Sequence, residues 1–197
     1  MNRRPVNVGI EGTKAEIVYH QYRGFDMKAL IVSFNGKTRR VLSTMDGCRR
    51  VKFVANVYVP MALADYTMTN YETFMQEYPA SLGLSPEEIA FLSTGADMDN
   101  LAVCTRSYRG IIVTCLATGG TGNALRSGID KAEWIEKNGK FEHVHGTINL
   151  LILSNTALSD GAMARAIITA TEAKTAALQD LNVKSVFSPN LQATGTG

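Results

Sequence analysis

The chain has 197 residues, of which 45% are hydrophobic and 19% charged, and its formal net charge is +2. This length predicts a single domain over residues 1–197, with enough apolar material for a packed core. The weak charge gives no support to nucleic-acid or anionic-membrane binding, and no apolar run approaches the roughly 20 residues of a membrane helix. Three cysteines without CxxC spacing, and no signal peptide, predict a reduced, cytoplasmic protein without a disulfide framework.

The first half of the chain predicts mainly strands and turns. Residues 15–22 and 29–34 have the β-branched and aromatic pattern of strands. Asn35-Gly36 predicts a type I′ hairpin turn, with residues 41–43 as the returning strand. The apolar run at 51–59 suits either a strand or a short helix, and we expect the helix.

The second half predicts a mixture of helices and strands. Residues 70–78 predict a helix, and Ser85 followed by Pro86 predicts the start of another. The other predicted elements are strands at 101–105 and 111–117 around a tight turn, a helix start at 123–127, a buried strand at 147–153, and a long helix from Ser159 to Leu181.

The order of these elements predicts an α/β fold. We expect a single layered domain with a mostly mixed β-sheet and a long C-terminal helix. An αββα four-layer sandwich is the alternative.

A glycine-rich stretch, Thr118-Gly119-Gly120-Thr121-Gly122-Asn123, lies between a predicted strand and a predicted helix start. Glycines let backbone N–H groups approach a ligand, and a helix N-terminus favours negative charge. The stretch is neither a Walker loop nor a GxGxxG fingerprint. It predicts either a site for a phosphate, carboxylate or developing oxyanion, or a tight turn where a strand and a helix pack closely.

Polar residues within and before the predicted strand at 147–153 are further candidates for a site. Asn149 lies within an apolar strand, so its amide must be hydrogen-bonded, as a structural clamp or in a site. His143 and His145 would share one side of an extended segment, but two ligands fall short of a metal site, and surface histidines are the favoured interpretation. Cys104 and Cys115 lie in apolar strands and are expected in the core.

Lys174 interrupts the apolar stripe of the last helix. The stripe consists of Met163, Ile167, Ala170, Leu178 and Leu181. A lysine among these residues must extend to solvent, pair with an acid, or serve a ligand. Asp97 and Asp99 follow Gly95 in a segment that predicts either a general base or a capped turn.

Several of these segments are similar to those of a known family. They are Leu42-Ser43-Thr44 with Gly47, Asn56 before Val59-Pro60, Gly95-Ala96-Asp97-Met98-Asp99, the glycine-rich stretch with Ala124 and Gly128, Gly146-Thr147-Ile148-Asn149, residues 166–181, and Ala193-Thr194-Gly195-Thr196-Gly197. In this order they resemble the adenosylcobinamide amidohydrolase family of corrinoid salvage. Asn155 stands where that family more usually has Asp. The 146–167 stretch is also weakly similar to the ornithine acetyltransferase group, which has the four-layer arrangement.

The resemblance implies hydrolysis of the aminopropanol amide of adenosylcobinamide, giving adenosylcobyric acid. The cobalt belongs to the corrinoid substrate, so no cofactor and no protein-bound metal are expected, and homo-oligomerisation is left open. The rival interpretations are a non-catalytic corrinoid- or nucleotide-binding protein, and a metal-dependent amidohydrolase using His143 and His145.

Amide hydrolysis requires an oxyanion stabiliser, a base for the nucleophile and an acid for the leaving amine. Backbone N–H groups of 119–122 with Asn123 suit the first role, Lys174 the acid or base, Asp97 or Asp99 the alternative carboxylate, and Thr118 a hydroxyl nucleophile. The expected substrate-binding residues are Ser43, Gly47, Asn56, Asp99, Gly119, Gly120, Gly122, Thr147, Asn149, Thr171, Glu172, Thr194 and Thr196.

Overall fold

The computed structural model describes residues 1–131, 135–137, 140–142 and 147–196. In chain order the strands are β1 (Asn2–Val6), β2 (Lys14–Tyr22), β3 (Phe25–Ser33), β4 (Arg39–Ser43), β5 (Gly47–Val51), β6 (Phe53–Tyr58), β7 (Ile89–Thr94), β8 (Ala102–Tyr108), β9 (Ile111–Gly119), β10 (Ala124–Leu125), β11 (Ile135–Lys137), β12 (Lys140–Glu142), β13 (Ile148–Ser154) and β14 (Gly195–Thr196). The helices are α1 (Met61–Thr69), α2 (Tyr71–Ser81) and α3 (Asp160–Asp180), with short 3₁₀ turns at Pro86–Glu88 and Met98–Asn100.

The central layer is a five-stranded sheet in the order β1-β2-β3-β6-β7. All neighbours are antiparallel except β6 and β7, which are parallel, so the sheet is mixed as predicted. A parallel pair needs a crossover connection, and α1 and α2 occupy it.

The predicted short helix at 51–59 is wrong, because Phe53–Tyr58 forms strand β6. Along β6, Ala55 and Val57 belong to the core beneath the helices, whereas Val54 packs on the opposite side of the sheet. A strand covered on both faces is apolar without alternation, and such a run does not distinguish a strand from a helix.

A second, three-stranded antiparallel sheet in the order β13-β9-β8 forms the next layer. Leu30 of the first sheet shares one core cluster with Leu116 and Leu151 of the second. The helices cover the other face of the first sheet, where Phe74 and Tyr78 are almost fully buried. The helices α1 and α2, the five-stranded sheet and the three-stranded sheet correspond to three of the four layers of the αββα sandwich given as the alternative fold.

The outer face of the three-stranded sheet is exposed at Val113 and Ile152, while α3 packs on β14. Cys104 and Cys115 lie opposite each other in the register of β8 and β9. The prediction of two core cysteines is therefore wrong: Cys104 is exposed and Cys115 is only partly buried.

Three tight turns share one backbone signature. Arg23-Gly24, Asn35-Gly36 and Arg109-Gly110 all have positive φ at both residues, as type I′ turns require. The first joins β2 to β3 and the third joins β8 to β9. The turn at Asn35-Gly36 also forms, but no hairpin with 41–43 does, because β4 pairs with β5 and β3 pairs with β2 and β6.

The helix at 70–78 is confirmed as α2, and the long C-terminal helix is confirmed as α3, whose N-cap Ser159 accepts a hydrogen bond from the Ala162 N–H. The helix expected after Ser85 is only a 3₁₀ turn. On α3 the predicted stripe is partly wrong, because Leu178 is buried but Ile167 is 39% and Leu181 75% exposed. Of the helices in the described ranges, none is long and apolar enough to cross a bilayer.

Candidate active site

The loops at one end of the two sheets come together around the glycine-rich stretch, which we call the glycine loop (residues 118–123). Gly120 donates its N–H to the carbonyl of Thr147 over 3.1 Å. A Cβ built on Gly120 would lie 3.8 Å from the Cβ of Ala96. The glycine loop, the loop after β7 and the start of β13 therefore form one continuous surface.

A buried network of amides and a hydroxyl lies under this surface, between the two sheets. Asn56 donates from Nδ2 to Thr118 Oγ1 over 2.8 Å, and Asn149 donates from Nδ2 to Asn56 Oδ1 over 2.8 Å and to the Ser93 carbonyl over 2.9 Å. Asn56, Thr118 and Asn149 are 1%, 2% and 7% exposed. The structure thus brings together three predicted site residues that lie far apart in sequence, and fixes the base of the glycine loop.

The segment after the glycine loop is not a helix, which corrects the expectation for 123–127. Ala124 and Leu125 form β10, which pairs with Thr196 and Gly195 of β14. The Gly120 N–H is already used by Thr147, whereas Thr121 and Gly122 are exposed, and their N–H groups have no partner among the described residues. Any negative charge at this loop would be stabilised by these N–H groups and not by a helix dipole.

Asn123, the last residue of the glycine loop, is also buried, at 4% exposed. It precedes Ala124, which pairs with Thr196 of β14. The predicted site residue Thr196 is therefore adjacent to the end of the glycine loop.

An ionic cluster lies beside the glycine loop, on the strands of the first sheet. Lys28 Nζ is 2.8 Å from both carboxylate oxygens of Asp97 and 2.6 Å from Asp99 Oδ2. Tyr19 donates its hydroxyl proton to Asp99 Oδ1 over 2.5 Å, and Arg4 approaches the same oxygen at 3.3 Å. Asp97 also accepts the backbone N–H of Asp99. The capped-turn interpretation of this segment is therefore confirmed, because the Asp97 carboxylate caps the 3₁₀ turn at Met98–Asn100.

Hydrogen bonds set the protonation states of this cluster. Those from Lys28 are the main cause that lowers the pKa of Asp97 and of Asp99, and those from Asp97 and Asp99 raise the pKa of Lys28. Lys28 and Tyr19 are not among the residues that the sequence predicts for the site. Lys28 lies on the same side of β3 as Leu30 and Val32. A lysine on the buried side of a strand needs a partner, and this pattern in the sequence could have identified Lys28.

Lys174 lies on the partly buried side of α3, next to the C-terminal residues. An ideal Cβ on Gly195 would lie 2.9 Å from Lys174 Nζ, and Thr175 donates its hydroxyl proton to the Thr194 carbonyl over 3.0 Å. Gly195 pairs with Leu125, two residues after the glycine loop. Burial lowers the pKa of Lys174, and in the described part of the chain no acidic group forms an ion pair with it.

Two predicted substrate-binding residues lie away from the glycine loop. Ser43 and Gly47 pair at the ends of β4 and β5 and flank the turn between them, where Ser43 Oγ accepts the N–H groups of Met45 and Asp46. Arg49 of β5 binds the carbonyl of Pro86, just before β7 begins. The glycine loop lies at the other end of β7, about 16 Å further at the usual rise per residue.

Thr171 and Glu172, two predicted substrate-binding residues on α3, are both exposed. The Thr171 hydroxyl donates a hydrogen bond to the Ile167 carbonyl of its own helix. Thr194 instead lies at the site, where its Oγ1 accepts the N–H of Ser127 over 2.9 Å. His143, His145 and Gly146 lie outside the described residues. Within the described ranges, no group of three or more His, Cys, Asp or Glu is placed to hold a metal ion.

The comparison with protein families agrees with the segments gathered at this site. The model of the adenosylcobinamide amidohydrolase family matches residues 13–197. The chain belongs to this family. An uncharacterized protein of Methanocaldococcus jannaschii is 43% identical over 183 residues, which cover 87% of this chain and 71% of that protein. The adenosylcobinamide amidohydrolase of Methanosarcina mazei is 28% identical over 155 residues, which cover 78% of this chain and 66% of that protein.

No solved structure matches the chain of this amidohydrolase family member.

Proposed function

We propose that the protein hydrolyses the amide between the corrinoid and its aminopropanol arm in adenosylcobinamide. The products would be adenosylcobyric acid and aminopropanol. Family membership supports the substrate class. The observation that carries the proposal is the Lys174 amine, which has a lowered pKa and no acidic partner among the described residues. It lies against Gly195, which pairs with Leu125, two residues after the glycine loop.

Lys174 is the best general base among the predicted catalytic residues. A base works best when its pKa lies near the working pH, and burial lowers the pKa of Lys174 in that direction. The pKa of Asp97 is instead shifted away from neutral pH, because Lys28 donates hydrogen bonds to both of its oxygens and lowers this pKa. We therefore assign proton transfer to Lys174, and to Asp97 and Asp99 the orientation of Lys28 at the edge of the site.

Water is the nucleophile that fits the surroundings of Thr118. The Thr118 hydroxyl is 2% exposed, and its oxygen already accepts a hydrogen bond from Asn56. In the proposed reaction the neutral Lys174 amine takes a proton from water, whose oxygen bonds to the amide carbon. The carbonyl oxygen becomes an oxyanion, which the N–H groups of Thr121 and Gly122, with Asn123, would stabilise. As the C–N bond breaks, the aminopropanol nitrogen takes the proton back from Lys174.

The corrinoid would contact small and neutral groups in this region. The glycine loop, Thr147, Thr194 and Thr196 offer hydroxyl and backbone groups, which suit the many amide side chains of a corrinoid. The cobalt enters with the substrate, and no further cofactor is proposed.

The test is incubation with adenosylcobinamide, followed by mass detection of adenosylcobyric acid and of aminopropanol. We expect both products in equal amounts from the wild-type protein and from Lys37→Met, a control at an exposed turn. Binding of the corrinoid without release of aminopropanol would overturn the proposal in favour of a binding protein. Activity that is lost with a chelator and restored by zinc would instead favour a metal-dependent amidohydrolase.

A further inference from the structure

Asp130 is the centre of a hydrogen-bonded cluster outside the residues assigned so far. Its Oδ2 accepts hydrogen bonds from the Arg126 N–H over 2.5 Å and from Ser185 Oγ over 2.6 Å, and its Oδ1 accepts one from Ser188 Oγ over 2.5 Å. The Ser185 bond is the largest of the causes that lower the pKa of Asp130, so the carboxylate stays ionised at neutral pH. The cluster joins the turn 126–130 to the C-terminal segment, residues 183–196.

The hydrogen bonds of Ser185 explain why an acceptor is needed at position 130. Ser185 is 2% exposed, and its Oγ accepts the backbone N–H groups of Phe187 over 3.1 Å and of Ser188 over 2.9 Å. A hydroxyl has two acceptor positions and one proton, so this proton must be donated elsewhere. Asp130 takes it, and without Asp130 a buried hydroxyl would lack its acceptor.

The C-terminal segment is also bound along the strand that follows the glycine loop. Val186 donates its N–H to the carbonyl of Ala124, and Thr194 donates its N–H to the carbonyl of Leu125, each over 2.8 Å. Ser127 donates its N–H to Thr194 Oγ1 over 2.9 Å. The position of Thr194 and of the next residue therefore depends on the turn that Asp130 holds.

The next residue, Gly195, is the one that lies against the Lys174 amine, with the ideal Cβ position only 2.9 Å from Nζ. From this chain of contacts we propose that Asp130 is a positioning residue that holds the C-terminal segment closed over the Lys174 amine. Its meaning for catalysis rests on the proposed function, because closure keeps the amine poorly hydrated and available as a base. Burial lowers the pKa of Lys174, which is consistent with an amine covered by the C-terminal segment.

The first test measures Lys174 directly and needs no substrate. The folded protein is labelled with trace acetic anhydride across a pH series, and the acetylated Lys174 peptide is quantified by mass spectrometry. In the wild type we expect the labelling midpoint below that of a lysine in an unstructured peptide. Asp130→Ala should raise this midpoint toward the peptide value, whereas Asp65→Ala, an exposed carboxylate on α1, should leave it unchanged. An unchanged midpoint in Asp130→Ala overturns the proposal.

The second test uses the amide hydrolysis assay. Asp130→Ala should lower kcat about tenfold in the wild-type background and should have no further effect in Lys174→Met, because residues acting through one group are not additive. A further tenfold loss in Lys174→Met would overturn the proposal. If the protein does not hydrolyse adenosylcobinamide at all, the proposed function fails but the labelling test still decides the role of Asp130.

A milder variant covers the case in which Asp130→Ala does not fold. Ser188→Ala removes only the bond to Asp130 Oδ1. It should shift the Lys174 labelling midpoint in the same direction by a smaller amount. A folded Ser188→Ala protein with the wild-type midpoint would also count against the proposal.

Discussion

The surroundings of the Lys28 and Lys174 amines are opposite. Lys28 has two carboxylates within 2.8 Å, which raise its pKa. Lys174 is half-buried with no acidic partner in the described part of the chain, and its pKa is lowered. The pKa of a lysine therefore depends on which groups face its amine as well as on its burial.

The two lysines also affect stability with opposite signs. The raised pKa of Lys28 means that its contribution is present below about 10.4, the unfolded value, and is lost as pH rises through the folded pKa. The lowered pKa of Lys174 means that the unfolded state binds more protons between the folded pKa and about 10.4, so stability increases with pH across that window. The lowered pKa of Lys174 therefore reduces the free energy of unfolding at pH values below about 10.4.

The largest expected effect comes from Lys174→Met. If the amine is the general base, kcat should fall by about 10²- to 10⁴-fold, while the thermal midpoint stays equal or rises because an apolar chain replaces a partly buried charge. Steady-state kinetics and differential scanning calorimetry measure the two effects. A Lys174→Met protein with unaltered turnover would leave this residue as a solvent-directed lysine.

The pH dependence of the activity also distinguishes Lys174 from Lys28. Activity should increase with pH through a limb below about 10.4, because only the neutral Lys174 amine accepts a proton. Residual activity in Lys174→Met should lack this limb, and Lys28→Met should keep it. A limb that disappears in Lys28→Met instead would reverse the roles assigned to the two lysines.

Asn123→Ala tests whether the amine acts together with the glycine loop. Loss of one preorganised donor should lower kcat by about 10²-fold with little change in the thermal midpoint. Asn56→Ala is the matched control for burial, since it should mainly lower stability, by about 1–3 kcal/mol, by removing the hydrogen bonds that Asn56 makes with Asn149 and Thr118. Full activity of Asn123→Ala would remove Asn123 from the site.

Lys28→Met should have a smaller effect than either change. The carboxylates of Asp97 and Asp99 are 41% and 45% exposed, so solvent screens the lost ion pairs, and the stability loss should be below about 1 kcal/mol. We expect KM to change by less than about tenfold with kcat nearly constant, consistent with a role in orientation. A loss of kcat as large as that of Lys174→Met would contradict the distinction drawn between them.

The smallest expected effect comes from His143→Gln combined with His145→Gln. Neither histidine enters the proposed proton transfer, so activity should be retained and chelators should not inhibit. Turnover assays with and without EDTA check this. Loss of activity that zinc restores would replace Lys174 with a metal-bound water as the base.

Local sequence determined several tight turns, the start of α3 and the strand β13. The positive φ values at Arg109-Gly110, the Ser159 cap and the strand at Ile148–Ser154 follow from residue types within a few positions. Local pattern also indicated that Asn149 needs a partner, because a buried amide cannot remain unpaired. The same level of information placed Lys174 on the inner side of α3.

Tertiary structure alone decided which strands pair and what each polar group meets. Asn35-Gly36 adopts its predicted turn without its predicted hairpin, since strand pairing depends on the cores on both sides of the sheet. The contact between Lys28 and Asp97 joins residues 69 positions apart, and no local pattern encodes such a contact. The protonation of Lys28 and Lys174 follows from these long-range contacts, because a pKa is set by the charges, hydrogen bonds and water around the group.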